Sequence, residues 1–589
     1  MRKILSVLVL LCLLPMASLA DTGSHTLETK SVPVYCTGLY DDRPAAERVL
    51  IPDYTLYYVD GVRDLPYVEF SEFVGLVNKL DTFDAEALTG MPSEGKADYI
   101  ARADATGTFT CSYLPQNSDL IIDYEQGTLT YTCMDTFGKA PGLSPFEIQT
   151  NHLDFLQRSD DPRMRRLGGA RTVSLADYRI PMLMQDGKYL IPLHTAFDLM
   201  IWVPKCPLKI LCCNGEAIFI GPQDVMFGYT DAPSELGEIY FSAKPSKRSP
   251  ELARYGYGEL CLMLDSFYGL KEEHGIDSFS VFFRENGYEQ RLLSEDAAEA
   301  DQALCDILLF SLDDLHSIFA FPSWMAGAEK EPSMSEFGLA RRLSGKTGEI
   351  FMKAAAKHIE SSATYTEVGN TAYIRIINLT TAVRPDDFYS MDLTNPELAS
   401  AHDVVLLLAY AHHQINREDS PIKNVVLDLS LCTGGDANAA ASIVSWFLGE
   451  GYISTENTFT GGVGVCVYRA DLNRDHQFTD EDSLLGKKRL FCLTSPITFS
   501  SANLTAAMLK GSGLVTMLGQ TSQGGSGLRS CAVSGWDTVY YVSGFTRIVT
   551  VKNGSAYDAD RGVAPDVYLS DPESFYNREQ LTEIINLLK

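Results

Sequence analysis

The chain has few basic residues for its size and, after residue 20, no long apolar run. Its 589 residues include 48 Lys and Arg against 77 Asp and Glu, a formal net charge of −29 at pH 7. An acidic surface favours solubility and disfavours nucleic acid or an anionic membrane as partner. No later run reaches the roughly 20 apolar residues of a transmembrane helix. We therefore expect no nucleic-acid partner and no membrane span.

Cysteines are also sparse, and their spacing is not that of a metal site. One of the 13 cysteines, Cys12, lies in an N-terminal segment that begins with Arg2 and Lys3, continues with an apolar run at 4–14 and ends in small residues up to Ala20. This pattern predicts a secretory signal cleaved after Ala20. Cleavage removes two basic residues and no acid, so the charge moves from −29 to −31. We expect a secreted or extracytoplasmic protein in which disulfides are permitted, several cysteines are buried thiols and the pairing is open.

The length predicts several domains, about three to five. Within residues 21–240 two segments resemble each other, because in each an Asp-Gly pair, at 60–61 and 186–187, separates two apolar strands that precede a helix-like stretch. This arrangement predicts a hairpin. Both segments resemble the small β-hairpin-plus-helix module at the N-terminus of copper amine oxidases, which also occurs without copper in exported bacterial proteins. Ligand binding and simple packing are both open roles for them.

The rest of the chain divides into a helical part, 241–360, and a part with alternating patterns, 361–589. Helical spacing in the first covers 250–268, 294–310 and 349–360. In the second, predicted strands at 371–377, 425–429, 490–493 and 514–518 alternate with predicted helices at 400–414, 437–448 and 501–509. This alternation predicts an α/β unit with a largely parallel sheet.

Two glycine- and serine-rich turns lie between a buried strand and a helix in this last part. The first contains Gly434 and Gly435, and the second contains Ser500 and Ser501. Two such turns can bring helix N-termini together with their backbone N–H groups aimed at one point. A developing oxyanion needs that arrangement.

Four short motifs occur in order over about 200 residues: Tyr-Ile-x-Ile at 373–376, Asp-Leu then Gly-Gly at 428–435, Phe-Ser-Ser-Ala at 499–502 and Gly-Val-x-Pro-Asp at 562–566. Together they resemble the catalytic core of the tail-specific, or C-terminal processing, serine proteases, in particular the tricorn-like branch. The resemblance implies an α/β fold with a crotonase- and Clp-protease-like αβ spiral. A helical subdomain and the N-terminal modules precede this core. It further implies a peptide or protein substrate and no required cofactor.

The same resemblance implies Ser500 as nucleophile, with the N–H groups of Gly435 and Ser501 facing the oxyanion. A serine before a helix is also a common N-cap, and Ser501 is the nearest competitor. Many tail-specific proteases use a lysine base, but Gly525 occupies the lysine's place here. Tricorn-type enzymes use a histidine from the helical region instead, which makes His316 the expected base.

A histidine base works best with an acid that fixes its tautomer. In the tricorn pattern this acid precedes the Gly-Val-x-Pro-Asp motif and acts through a serine beside the histidine. This chain has Asp558 and Asp560 before the motif, and Leu315 at the serine's place. Four alternatives are open: Asp560 reaches His316 directly, Ser317 substitutes for the missing serine, both aspartates lie in an exposed turn, or Arg561 holds them in a salt bridge.

An acidic segment at 471–482 has oxygen side chains at positions 1, 3, 5, 9 and 12 of a calcium-type loop. His476 stands where glycine usually makes the turn, and Asp482 stands where glutamate usually closes the site. A structural calcium ion and a plain acidic hairpin tip are therefore both open. The candidate ligands are Asp471, Asn473, Asp475, Gln477, Thr479 and Asp482.

These patterns predict an exported serine peptidase that acts through an acyl-enzyme. No segment between 316 and 371 is typical of the PDZ module that many tail-specific proteases carry, so substrate capture would depend on the N-terminal or helical part. An inactive peptide- or cell-wall-binding protein on the same fold is the main alternative. Another crotonase-fold hydrolase or an esterase is the second. The predicted domains are a signal at 1–20, an N-terminal region at 21–240, a helical subdomain at 241–360 and a catalytic core at 361–589.

Overall fold

A computed structural model describes most of the chain. The described residues are 24–38, 43–89, 98–104, 106–137, 155–160, 166–203, 209–223, 226, 228–229, 232–327, 331–334, 336–359, 363–381, 383, 385–552 and 555–588. The predicted signal at 1–20 lies outside them. No described helix has both the length and the apolar character needed to cross a bilayer.

The strands are, in chain order, β1 Leu27–Cys36, β2 Val49–Val59, β3 Tyr67–Glu69, β4 Tyr99–Ala103, β5 Thr108–Tyr113, β6 Ser118–Asp123, β7 Thr128–Tyr131, β8 Leu156–Asp160, β9 Arg171–Ser174, β10 Leu183–Gln185, β11 Lys188–Pro192, β12 Lys209–Cys213, β13 Ile218–Pro222, β14 Gly228–Tyr229, β15 Ala232–Pro233, β16 Ile318–Phe321, β17 Tyr365–Val368, β18 Thr371–Arg375, β19 Asn424–Asp428, β20 Gly451–Asn457, β21 Val463–Ala470, β22 Arg489–Thr494, β23 Val515–Gly519, β24 Gly527–Val533, β25 Val539–Lys552, β26 Ser555–Asp558 and β27 Val567–Tyr568.

The α-helices are α1 Phe70–Thr89, α2 Leu193–Phe197, α3 Glu235–Phe241, α4 Pro250–Phe267, α5 Phe279–Glu285, α6 Glu289–Leu292, α7 Ala297–Asp306, α8 Leu339–His358, α9 Pro385–Ser390, α10 Val404–Ile415, α11 Ala437–Leu448, α12 Ser501–Ser512 and α13 Arg578–Leu587. Two of them continue into π-helical turns, α2 into Asp198–Trp202 and α7 into Ile307–Leu312.

The two N-terminal hairpins share one seven-stranded sheet with the order β10-β11-β3-β2-β1-β13-β12. Asp60 and Asp186 have φ values of 52° and 53°, and the glycine after each has φ near 75°. Such left-handed pairs form the tight turns that Asp-Gly favours. β11 of the second hairpin pairs antiparallel with β3 of the first. Each predicted hairpin therefore supplies two of the seven strands of a common sheet.

A five-stranded antiparallel sheet, β4-β5-β6-β7-β9, lies between these hairpins in the sequence. This sheet was not predicted from the sequence. Its strands alternate buried and partly exposed residues, as in β5 and β6, which is the pattern of a sheet with one covered face.

The core sheet has the order β17-β18-β19-β22-β23-β27 and is parallel from β18 to β27. All five residues of β19 are buried. Val425 and Leu427 join one apolar cluster with α10 and α11, whereas Val426 joins another with α8 and α13. Helices cover both faces of the core sheet, which explains why the apolar residues of β19 are continuous and do not alternate with polar ones. The predicted α/β fold with helical and β-rich modules is confirmed.

A further sheet combines strands from all three predicted segments. Its order is β16-β25-β20-β21-β8, with β24 and β26 also paired to β25. β8 comes from the N-terminal region, β16 from the helical part and the others from the core. The predicted boundaries at 240 and 360 therefore separate segments of sequence whose strands share a sheet.

Several cysteines lie deep in the protein, as expected for structural thiols. Cys432 and Cys492 are free and buried, and burial raises the pKa of the Cys432 thiol to about 12. Such thiols are packing residues and poor nucleophiles at neutral pH.

Candidate active site

The two predicted strand-to-helix turns lie side by side at the carboxyl ends of β19 and β22. Hydrogen bonds join them directly: Ser495 Oγ donates to Ser430 O over 2.5 Å and Thr498 Oγ1 donates to Leu429 O over 2.8 Å. In a parallel sheet the loops after adjacent strands meet at one edge, where ligands commonly bind. The parallel pairing of β19 with β22 is therefore what brings the two turns together.

Ser500 adopts a backbone conformation that is strained for a residue with a side chain. Its φ is 53° and its ψ is −129°, a combination that non-glycine residues rarely adopt. Its N–H donates to Gly524 O over 2.9 Å, and the N–H of Phe499 donates to Cys432 O over 3.2 Å. These bonds hold a sharp turn that presents the Ser500 hydroxyl at the end of the sheet, as in a nucleophile elbow.

Two backbone N–H groups beside Ser500 are available to an oxyanion. The N–H groups of Gly435 and Ser501 donate to no acceptor within the described part of the chain. A Cβ on Gly434 would lie 2.7 Å from the Cβ of Ser500, and Gly435 has a φ of 130°. Only glycine fits this close approach without strain. Ser501 Oγ donates to Gly435 O over 2.8 Å and fixes one turn against the other.

His316 lies within hydrogen-bond distance of Ser500, although 184 residues separate them. The distance from His316 Nε2 to Ser500 Oγ is 3.1 Å. The imidazole also packs on Phe499, with ring centroids 4.7 Å apart. The histidine is 7% exposed. The helical part of the chain thus contributes a possible proton acceptor to the turns of the core.

Asp314, which the sequence analysis did not select, organises the turn that carries His316. Its Oδ1 accepts the backbone N–H groups of His316 over 3.1 Å and Ser317 over 3.0 Å, and the hydroxyl of Ser543 over 2.8 Å. Its Oδ2 accepts from Tyr268 over 2.8 Å and from Ser317 Oγ. The available signal was an aspartate two residues before the histidine, the spacing at which a side chain accepts backbone N–H groups in a turn.

Burial lowers the pKa of His316 to about 4, so the imidazole is neutral at pH 7. The charge of Asp314 raises it, that of Arg529 lowers it further and that of Asp560 raises it. A backbone interaction with Gly527 also favours the protonated ring, although Nδ1 has no partner of hydrogen-bond geometry among the residues described. A neutral imidazole facing a hydroxyl can accept its proton.

The two aspartates that were predicted before the Gly-Val-x-Pro-Asp motif have other surroundings. Asp560 Oδ1 accepts from Gly525 N over 3.1 Å and Ser526 N over 2.9 Å, and so shapes the turn beside Phe499. It acts on His316 through its charge. Asp558 ends β26, opposite Val549 in β25. Ser317 donates to Asp314, as described above, and the role of an acid partner for the base stays a prediction.

The environment of Gly525 explains why a lysine is difficult at this position. Gly525 has a φ of 87°, and a Cβ there would lie well inside contact distance of the Phe499 ring. That ring also supports His316. The ring that packs on His316 therefore also fills the space that a side chain at position 525 would need.

In the acidic loop at 471–482, two carboxylates accept hydrogen bonds from backbone N–H groups of the same loop. Asp482 accepts the N–H groups of Leu472, Asn473 and Thr479, and Asp471 accepts those of Asp475 and His476. In the described ranges no group of three or more His, Cys, Asp or Glu residues is arranged to hold a metal ion. Calcium at this loop stays a prediction.

Residues 393–569 match Peptidase family S41. Similar solved structures include the photosystem II D1 C-terminal processing protease, at 17% identity over 36% of this chain and 47% of that chain, with a TM-score of 0.25. A lipoprotein from Streptococcus agalactiae aligns at 15% identity over 57% and 97%, with a TM-score of 0.34. The tricorn protease aligns at 14% identity over 42% and 18%, with a TM-score of 0.23.

The present chain spans about half the length of the processing protease. At these scores the structural likenesses carry no argument about the site. A comparison with curated proteins finds no match.

Residues 393–569 therefore have the sequence pattern of Peptidase family S41, whose members are serine-type peptidases. The predicted resemblance to that family is confirmed for this segment. Gly435, Ser500 and Asp560 lie within the matched segment. His316 lies outside it.

Proposed function

We propose that this protein is an exported serine peptidase in which Ser500 is the nucleophile and His316 is the general base. The observation that supports this assignment best is the 3.1 Å distance between His316 Nε2 and Ser500 Oγ, at a serine held in a strained turn. Nucleophile and base within hydrogen-bond reach are the signature of covalent catalysis by serine.

The reaction begins when Ser500 Oγ attacks the carbonyl carbon of a peptide bond and His316 Nε2 takes the hydroxyl proton. The carbonyl oxygen becomes an oxyanion that the N–H groups of Gly435 and Ser501 stabilise. The imidazolium of His316 then donates its proton to the leaving amine as the carbon–nitrogen bond breaks. An ester to Ser500 remains.

Water completes the cycle by the same route. His316 takes a proton from water as the oxygen attacks the ester carbon, and returns it to Ser500 Oγ as the carboxylic product leaves. The negative charges of Asp314 and Asp560 favour the imidazolium in both steps, because each raises the pKa of His316. Asp314 also holds the turn from which the imidazole projects.

A fluorophosphonate probe tests the assignment of the nucleophile. The mature protein should be labelled on Ser500, and Ser500→Ala should lose both the label and hydrolysis of a casein-derived peptide mixture. Ser501→Ala is the matched control and should keep the label. Label retained after removal of Ser500 would assign the nucleophile elsewhere. No label and no hydrolysis in the unaltered protein would favour an inactive binding protein.

Export rests on the pattern of residues 1–20 and needs its own test. The secreted chain should begin at Asp21 when its N-terminus is sequenced after expression with the native leader. A chain that retains Met1 and stays inside the cell would contradict export and leave the peptidase assignment intact.

A further inference from the structure

An exposed arginine, Arg529, lies on β24 beside the candidate site. Its guanidinium carbon is 4.4 Å from the centroid of the Tyr541 ring. Tyr541 is 8% exposed, and its hydroxyl donates to Gln223 Oε1 over 2.5 Å. A buried, hydrogen-bonded ring is a rigid platform, so stacking restricts the guanidinium while its N–H groups stay accessible.

The strand register places Arg529 on the side of the sheet that faces the His316 turn. Arg529 is opposite Ser543 in the pairing of β24 with β25, and opposite residues project to the same face. Ser543 Oγ donates to Asp314, whose carboxylate holds His316 N. Tyr541 also pairs with Ile318, two residues after His316. Two independent contacts thus connect Arg529 to the base.

The guanidinium of Arg529 has no acid or carbonyl partner within the described ranges. Nearby arginines are different, since Arg341 donates to the carbonyls of Asp314 and Ser317, and Arg547 pairs with Glu273. An unpaired cation near His316 disfavours the imidazolium that the proposed reaction requires. Arg529 therefore does not assist proton transfer by itself. An anion bound to its guanidinium would neutralise the positive charge, which would then no longer lower the pKa of His316.

We propose that Arg529 is a specificity residue that binds a carboxylate of the substrate close to the scissile bond. Guanidinium matches a planar carboxylate with two parallel N–H donors. The carboxylate can belong to an acidic side chain or to the C-terminus of the peptide, and the two sources share this chemistry. The inference rests on the proposed peptidase function.

The test uses internally quenched decapeptide libraries and the full mature protein. Paired libraries differ only by Glu against Gln at one position, or by a C-terminal carboxylate against a C-terminal amide. In one of the pairs, we expect kcat/KM for the carboxylate member to be at least about tenfold higher than for its neutral partner. A charge-assisted hydrogen bond contributes enough free energy for a change of that size. Arg529→Gln should bring that ratio close to one, and Arg529→Lys should keep part of it. The control is Arg284→Gln, at an exposed position on α5.

Measurements at pH 8 keep the resting His316 neutral in every variant. Because the Arg529 cation disfavours the imidazolium that forms during the reaction, Arg529→Gln should not lower the rate on neutral peptides, and any change should be an increase. A preference confined to the Glu pairs assigns a side-chain carboxylate, and one confined to the terminal pair assigns the C-terminus. The inference is overturned if the carboxylate preference survives in Arg529→Gln. It is also overturned if peptides are cleaved but no position shows a carboxylate preference. Absence of any Ser500-dependent cleavage overturns the proposed function, and the inference with it.

Discussion

The two halves of the candidate site are built in different ways. The turns with Gly435 and Ser500 lie within the parallel sheet, between strands and helices whose order in the sequence brings them together. The turn with His316 follows a π-helical segment and is held by Asp314. The carboxylate of Asp314 accepts hydrogen bonds from the hydroxyls of Tyr268 and Ser543. The first half depends on strand topology together with several bonds between its two turns, and the second depends on one carboxylate that collects donors from distant elements.

This difference indicates where the site is robust and where it is fragile. The core turns are positioned by the pairing of β19 with β22 and joined by separate bonds from the hydroxyls of Ser495 and Thr498, so no single side chain holds this half of the site. The base turn depends on one carboxylate that satisfies several donors, and removing such an acceptor leaves buried groups unpaired. The following predictions test this comparison.

The largest effect should come from removing either reacting group. Ser500→Ala and His316→Ala should each lower kcat by about 10⁴-fold or more, and the double variant should be no slower than the singles, because the pair acts as a unit. Steady-state hydrolysis of one quenched peptide measures this. Substantial activity in His316→Ala would mean that the core turns are sufficient without the helical half.

Gly525→Lys should destabilise the protein and leave it inactive, not convert it to a lysine-dependent peptidase. The side chain would collide with Phe499 at a φ of 87°, at a cost of about 2–4 kcal/mol in the free energy of unfolding. Gly511→Lys is the matched control, since a Cβ at Gly511 meets nothing within 4 Å. Urea unfolding compares the two. An active, stable Gly525→Lys variant would refute the packing argument.

Asp314→Asn should lower kcat by about 10–100-fold with a smaller change in KM, because a displaced base reacts poorly. In this variant an NH₂ group replaces the oxygen that accepts hydrogen bonds from the Tyr268 and Ser317 hydroxyls. Because those donors lose their acceptor, the free energy of unfolding should also fall by about 2 kcal/mol. Asp313→Asn is the control, because Asp313 instead caps α8 through Ala340 N. Equal kcat values for Asp314→Asn and Asp313→Asn would show that Asp314 does not position the base.

Ser501→Ala should have only a modest effect. It removes the bond from Ser501 Oγ to Gly435 O, worth about 1 kcal/mol, so we expect a loss of a few-fold in kcat and retention of the Ser500 label. Ser512→Ala, at the far end of α12, is a suitable control and should leave kcat unchanged. A loss as large as that of Ser500→Ala would exchange the roles of the two serines.

The smallest effect concerns pH. Because the pKa of His316 lies near 4, kcat/KM on a neutral peptide should be flat from pH 8 to pH 5 and fall about twofold by pH 4. The unfolded chain has the ordinary value of 6.5, so it binds more protons than the folded protein between 4 and 6.5. This contribution to stability is complete above 6.5 and is lost as the pH falls through 4.

Thermal unfolding at several pH values provides the corresponding comparison. The stability of the unaltered protein should fall relative to that of His316→Gln as the pH drops from 6.5 to 4. Parallel curves for the two proteins would contradict the lowered pKa.

Local patterns predicted the core elements well. The helix at 437–448 has the expected bounds as α11, and the strands expected at 425–429 and 490–493 differ by a residue at their ends from β19 and β22. These elements are periodic, apolar and bounded by glycine, aspartate or serine, so neighbouring residues determine them. The five-stranded sheet and β16 were missed, because short half-buried strands receive most of their stability from partners far along the chain.

The candidate site shows the same division. Gly435 and Ser500 are visible in the sequence because each lies in a turn with its own local chemistry. Asp314 was not selected, although its spacing before His316 is a local signal for the turn, and its bonds with Tyr268 and Ser543 join elements far apart in the chain. No local signal reports such contacts.

The sequence by itself determined the α/β core, the two turns and the absence of a lysine at Gly525, since strand-to-helix order and turn composition are local properties. Only the tertiary structure decided that β16 joins the sheet of β25, that Asp314 holds the histidine turn and that Arg529 lies beside it. The physical reason is distance along the chain. His316 and Ser500 are 184 residues apart, and the packing of two separate regions brings them within 3.1 Å.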